Sequence, residues 1–360
     1  MRRVEIDHLT PGMVVGRSIY SSQGHVLLKE QCVLTPHYIE RLKSLSIPCL
    51  YVQEDKLRLP PLRDVISEDI RINTMVRVRS LLDEAGSAGV VLKTNKLFQL
   101  VTGLVEELLQ NRNTVVNFAD IRLEDDYLFS HSVNVCLLAL LTGISLSYSK
   151  GRLCNLGLGA MLHDVGKTQL PRRILDKPDS LTPEEYELVK AHSAHGYKML
   201  INFPFARDMA YQHHERLDGS GYPRSLKGKE VSEESQITAI ADVFDALISN
   251  RQYRAGFPPH EAYEFLAAIG NVHFDIALVR AFLSNVAAYP TGVMVELSDG
   301  RIALALETPH GQPLLPRVRC LFDQELRYIA VPLELCLGET ALHVRKVIPP
   351  DVANRLLSQV

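Results

Sequence analysis

The chain has 360 residues, 46% of them hydrophobic, and a formal net charge of −3. That length allows two or three domains with substantial cores. The charge offers no general attraction to a polyanion such as DNA and leaves room only for a local basic pocket that takes a small phosphate ligand.

The six cysteines are scattered, with no CxxC pair, as expected of free thiols in a reducing compartment. The N-terminus lacks the apolar segment of a signal peptide, and no apolar run approaches the roughly 20 residues that span a bilayer. The expectation is a cytoplasmic protein without a membrane span or a nucleic-acid polymer as partner.

Residues 1 to about 55 read as a small α+β unit. Met13-Val14-Val15 and His25-Val26-Leu27-Leu28 have strand character around the turn-like Ser21-Ser22-Gln23-Gly24, Thr35-Pro36 opens a short helix, and Val52 ends a last strand. A charged, proline-bearing stretch from 53 to 64 is the linker candidate, so that 56–95 reads as linker and helices. The helical reading from 65 to about 112 is interrupted near Gly86-Ser87-Ala88-Gly89 and then continues to about 287. Thr182-Pro183-Glu184-Glu185 supplies an N-cap, a first-turn proline and a capping-box glutamate. After Pro290 the apolar period switches to two. Val293-Met294-Val295-Glu296-Leu297, Asp299-Gly300 and Ile302-Ala303-Leu304-Ala305-Leu306 predict a hairpin with a type I′ turn, and 288–360 reads as a β-rich subdomain and tail.

Histidine placement is the chemical signal. Six of the thirteen histidines lie between 131 and 214, within stretches that otherwise read as apolar helices. On the helix from 127 to about 148, Val135 and Leu138 follow His131 on one face, which turns the imidazole inward. The next helix carries His163 at its end, with Gly166 suited to a helix stop. The capped helix puts Leu188, His192 and Gly196 on one stripe, and His213-His214 end another helix. Asp242 and Asp245 share a face of a helix from about 236 to 249, in Ile240-Ala241-Asp242-Val243-Phe244-Asp245-Ala246-Leu247, which is too apolar to face water. Any one inward His or Asp is ordinarily a satisfied core residue or a solvated one. Several buried carboxylates and imidazoles together are costly unless a cation satisfies them all.

The order His131, His163-Asp164, Asp242 resembles the HD-type metal-dependent phosphohydrolases. His163-Asp164-Val165-Gly166-Lys167, His213-His214-Glu215-Arg216-Leu217-Asp218-Gly219-Ser220-Gly221-Tyr222-Pro223 and Asp242-Val243-Phe244-Asp245-Ala246-Leu247 with Arg251-Gln252-Tyr253-Arg254 narrow the resemblance to the HD-GYP domain cyclic di-GMP phosphodiesterases. The resemblance covers roughly 96–287. It implies a mainly α protein: an HD-type helical bundle with a small N-terminal α+β domain and a C-terminal β-hairpin subdomain. One metal ion would take His131, His163, Asp164 and Asp242, and a second His192, His213 and His214, with Asp164 bridging. Some relatives carry a glutamate one turn before the first histidine and hold a third ion; Tyr127 stands there, which implies two ions, although Asp125 and Asp126 are nearby. His195 falls at a position the family fills variably and is left outside the ligand set.

The mixed nitrogen and oxygen donors suit Fe or Mn, and a pair of such ions supports hydrolysis of cyclic di-GMP to pGpG and/or GMP by a metal-activated hydroxide. Lys167, three residues after Asp164, reads as catalytic and substrate-binding through the phosphate. By the resemblance Arg251 and Arg254 contact phosphates or guanine, and planar, always-charged guanidinium groups suit both. Asp245 reads as an acceptor behind a ligand, orienting a histidine or Lys167. The Gly221-Tyr222-Pro223 loop, with Tyr222 at its tip, reads as a surface for a protein partner. Residues 1–55 read as a regulatory or homodimerisation module. The alternative function is a cyclic-dinucleotide receptor or docking module with little turnover. A third reading keeps the hydrolysis and changes the substrate to a hybrid cyclic dinucleotide.

Overall fold

A computed structural model describes residues 1–21, 23–45, 47, 49–54, 57, 59–60, 64–85, 94–111, 114–116, 127–175, 177, 179–249 and 256–357. Strands β1 (Arg2–Glu5), β2 (Ile19–Tyr20) and β3 (Val26–Leu28), helix α1 (Pro36–Ser44) and strand β4 (Cys49–Val52) come first. Then follow α2 (Glu68–Ala85), α3 (Thr94–Gln110), α4 (Tyr127–Ser145), α5 (Lys150–Leu162), a 3-10 turn (Val165–Gln169) and α6 (Arg172–Leu175). Helices α7 (Pro183–Met199), α8 (Pro204–Gln212), α9 (Glu233–Ile248), α10 (Pro259–Ile269) and α11 (Ile276–Leu283) complete the helical run. Strands β5 (Met294–Leu297), β6 (Ile302–Glu307), β7 (Arg317–Phe322), β8 (Tyr328–Cys336) and β9 (Val344–Val347) lead to α12 (Pro350–Leu357). The protein is mainly α with a β-rich C-terminal part. Among the described residues no helix is long and apolar enough to cross a membrane.

The chain divides into two compact units, and the first is discontinuous: Met1–Asp64, Asn113–Asp126 and Val286–Val360. Its N-terminal part pairs β1 with β4 and β2 with β3, both antiparallel, over a core that includes Val4, Val15, Leu34, Leu42 and Leu50. Thr35 caps α1, its hydroxyl accepting from the Tyr38 amide at 3.2 Å. The five later strands form one antiparallel sheet in the order β8-β7-β6-β5-β9. Ala353 and Leu356 of α12 pack with Met294, Leu304 and Phe322, and Leu57 from the N-terminal segment enters the same cluster. Arg2 also donates to Asn354 at 2.5 Å.

The expected hairpin is β5–β6, with Met294 opposite Leu304. Its turn is not type I′. Such a turn needs positive φ at both central residues, whereas Gly300 (φ 89°) adopts it and Asp299 does not. The Leu297 amide bonds to the Arg301 carbonyl, so three residues form the loop.

The second unit is Val65–Arg112 with Tyr127–Asn285 and holds the helices that carry the predicted site. Helix α5 is buried on every side from Leu153 onward except at Asn155, because α3, α4, α8 and α9 all pack against it. Helix α4 also packs on α9, and α7 packs on α8 and on the 3-10 turn. Helix α7 starts where its capping box dictates: the Thr182 hydroxyl accepts from the Glu185 amide at 3.2 Å, and the Glu185 carboxylate accepts from the Thr182 amide at 2.8 Å.

Candidate metal centre

Five imidazoles and two carboxylates from α4, the ends of α5 and α8, and the middles of α7 and α9 meet in the second unit. Asp164 lies at the centre, nearly excluded from solvent. Its Oδ1 is 3.3 Å from His192 Nε2 and 3.7 Å from His213 Nε2; its Oδ2 is 3.4 Å from His163 Nε2 and 3.8 Å from His131 Nε2. Asp242 Oδ1 approaches His131 Nε2 at 3.1 Å. The His214 ring lies 4.0 Å from that of His213 and 5.0 Å from that of His192, centroid to centroid. The donor atoms of Asp164, His192, His213 and His214 all fall within 4.8 Å of one another, as do those of His131, His163 and Asp164, and those of His163, His213 and Asp242. Asp164 belongs to two of these groups.

The hydrogen bonds at the back of the rings decide the electronic character of the centre. His163 Nδ1 lies 2.7 Å from the Ala160 carbonyl, His192 Nδ1 2.6 Å from that of Val189, and His213 Nδ1 3.0 Å from that of Ala210. A carbonyl only accepts, so each Nδ1 carries the proton, and each ring turns its Nε2 toward Asp164. Burial favours the neutral form of three rings: it lowers His192 to about 3 and also lowers His213 and His214. His163 Nε2 and Asp164 Oδ1 are buried without a hydrogen-bond partner. Imidazole nitrogens and carboxylate oxygens that converge in one buried place, two of them without a hydrogen-bond partner, are what a divalent cation satisfies, so the donor set fits a metal.

Both carboxylates stay ionised. Burial opposes the charge of Asp164, but the Lys167 ammonium and His163 beside it drive its pKa well below the usual range. For Asp242 burial is likewise outweighed, here by the hydrogen bond and charge of His131. Lys167 donates to Asp164 Oδ2 across the 3-10 turn.

Asp245 sits behind His131. Its Oδ2 lies 2.7 Å from His131 Nδ1, and its Oδ1 accepts from Asn134 Nδ2 at 3.0 Å. The carboxylate thus orients the ring from the side away from the cluster. Asn134 was not singled out from the sequence, although its place one turn after His131 on the same helix was a usable signal. Glu215 was also missed. Its buried carboxylate accepts from the amides of Arg224 at 2.7 Å and Leu226 at 2.9 Å, tying down the loop after Gly221.

Gly166 does not terminate a helix in a left-handed conformation; it lies in the 3-10 turn, and a Cβ there would meet the His192 carbonyl oxygen at 1.9 Å. It is the bare backbone that lets α7 approach Asp164. Leu188 is 52% exposed, so the stripe on α7 turns inward only at His192 and Gly196. Tyr222 is not at a loop tip: its half-buried ring stacks on His214 at 4.6 Å and 25°. Pro223, after a cis peptide bond, is exposed.

His195 Nδ1 is buried without a partner, and the residue belongs to none of the donor groups found among the described residues. Asp125, Asp126, Arg251 and Arg254 lie outside the described residues.

The HD domain family matches residues 120–278. A cyclic di-GMP phosphodiesterase of Pseudomonas aeruginosa is 30% identical over 90% of this chain and 86% of its own length. The chain belongs to the HD-GYP family. A second relative, a cyclic di-GMP phosphodiesterase of Thermotoga maritima, is 43% identical over 34% of the chain, which spans 35% of that protein. The solved structure of an HDG"Y"P protein from Bdellovibrio bacteriovorus aligns with a TM-score of 0.50 at 18% identity, over 78% of this chain and 97% of that one, and supports the HD-GYP fold.

Proposed function

We propose that this HD-GYP protein hydrolyses the phosphodiester bonds of cyclic di-GMP to pGpG and/or GMP at a centre for two divalent ions, Fe or Mn. One ion would be held by His131, His163, Asp164 and Asp242, the other by Asp164, His192, His213 and His214. The observation that carries this reading is the position of Asp164, whose two oxygens face different imidazoles and which is shared between two donor groups. When bound, such a pair supplies Lewis acidity and a water of lowered pKa. The chain's own groups do the rest. Asp245 and Asn134 hold the His131 ring, and carbonyls hold those of His163, His192 and His213. Lys167 is the cation that meets the substrate phosphate next to Asp164, and Arg251 and Arg254 are proposed to contact the phosphates or guanine.

Similarity to the Pseudomonas and Thermotoga phosphodiesterases supports the choice of substrate. The HD match at 120–278 falls within the catalytic domain proposed for 96–287. Residues 1–55 are proposed as a regulatory or dimerisation module, and the exposed residues after Tyr222 as the edge that a protein partner meets. The free state of all six cysteines supports a cytoplasmic location.

The test is anaerobic loading with Fe(II) or Mn(II), incubation with cyclic di-GMP and chromatography of the products. Asp164→Ala should abolish product. Full turnover by that variant, or tight binding of cyclic di-GMP by the loaded wild type with no product, would overturn the assignment.

A further inference from the structure

The five clustered imidazoles are not held alike. His131 is fixed by Asp245, and His163, His192 and His213 by main-chain carbonyls behind their Nδ1 atoms. Among the described residues no hydrogen bond reaches the His214 ring. The rings of His192 and His213 also lie beside it, and an Asp164 oxygen falls within 4.8 Å of its donor nitrogen. What lies flat against it is Tyr222, with centroids 4.6 Å apart and planes 25° apart.

The loop that brings Tyr222 there is built for this approach. The Tyr222 amide donates to the His214 carbonyl at 3.2 Å, which folds the loop back on the histidine pair. Gly221 lies so close that a Cβ would meet Glu215 Cα at 2.4 Å and the His214 carbonyl oxygen at 2.5 Å. Glu215, the residue after His214, uses both carboxylate oxygens to hold the amides of Arg224 and Leu226. A buried carboxylate spent wholly on two loop amides fixes the far side of that loop.

We infer that Tyr222 is a positioning residue for the metal centre: its ring face orients the His214 imidazole in place of a hydrogen bond, and Glu215 holds the loop that presents it. The inference rests on the reading of His214 as a ligand. It assigns the tyrosine's aromatic face, not its hydroxyl, to the task. It also predicts that the two ions depend on Tyr222 unequally, because His214 belongs with His192, His213 and Asp164 and not with His131.

The experiment is calorimetric titration of the metal-stripped full chain with Mn(II) alone, with no nucleotide present. Wild type and Tyr222→Phe should bind two ions with the same affinities. Tyr222→Leu should weaken one ion by roughly 10–100-fold, the range for losing an orienting partner, and leave the other unchanged. Glu215→Gln, which preserves shape but turns an NH2 group toward one of the two loop amides, should weaken the same ion. Circular dichroism of each metal-free variant reports its folding, and if Tyr222→Leu fails to fold, Glu215→Gln against Tyr222→Phe decides. Wild-type affinity for both ions in Glu215→Gln, or weakening by Tyr222→Phe as large as by Tyr222→Leu, overturns the inference. Wild type that binds two ions yet leaves cyclic di-GMP intact defeats the proposed function and leaves this inference standing.

Discussion

His192 Nε2 and His213 Nε2 face each other at 3.2 Å, and each ring has its Nδ1 proton committed to a helix carbonyl. Two neutral imidazoles in that state cannot hydrogen-bond to one another. Lone pair therefore faces lone pair in a buried place, and a cation between them removes the repulsion. Divalent metal should raise the melting midpoint of this unit and a chelator should lower it, since an ion at about 100 times its dissociation constant adds about 2.7 kcal/mol. Differential scanning calorimetry with and without Mn(II) measures this; identical melts would contradict it.

Asp245→Asn should reduce metal affinity and turnover by roughly 10–100-fold without removing a proposed ligand. The amide keeps an oxygen for His131 Nδ1 but then turns NH2 toward the Asn134 amide nitrogen that Asp245 Oδ1 now accepts from. Affinity equal to wild type would show that His131 needs no orienting carboxylate.

Lys167→Met should lower kcat/KM roughly 10²-fold, as for the loss of one positioned donor to a phosphoryl oxygen, while the number of bound ions stays the same. Lys167 is half-exposed and bonded to Asp164, so its charge is available beside the proposed ions without being a ligand. Steady-state kinetics paired with elemental analysis separates the two effects, and a change in bound metal with no change in kinetics would refute this role.

Gly166→Ala should cost about 1–3 kcal/mol and reduce metal binding together. The new methyl would meet the His192 carbonyl oxygen at 1.9 Å and the Gly196 amide nitrogen at 2.6 Å, both backbone atoms of α7. Relief requires α7 to move, and α7 carries His192. A denaturant melt and a metal titration on the same preparation test it; a stable variant with full metal affinity would show that α7 yields freely.

Thr182→Ala should behave differently. It removes the hydroxyl that caps α7 at the Glu185 amide, which costs about 1 kcal/mol and lowers the melting midpoint by about 2–4 °C. The cap lies more than two turns from His192, so metal stoichiometry should be retained.

What was legible in the sequence was local. The period of apolar residues placed α4, α5 and α9, the Thr182-Pro183-Glu184-Glu185 signal placed the start of α7, and Asp242 was turned inward by the apolar residues around it. These features follow from hydrogen bonding and burial within one element. The residue types and spacing also singled out the seven side chains, Asp164 among them, that gather in this cluster. Tertiary structure decided the rest. Gly166 is required because a carbonyl of another helix passes over it, and Tyr222 faces inward because Glu215 and the His214 carbonyl draw its loop back. Likewise, Leu57 shares a core with strands some 240 residues later, which joins both ends of the chain in one unit. Each of these depends on which surfaces meet. A residue's own neighbours in sequence set its backbone preference and its side-chain direction, whereas close approach is decided by the packing of elements far apart along the chain.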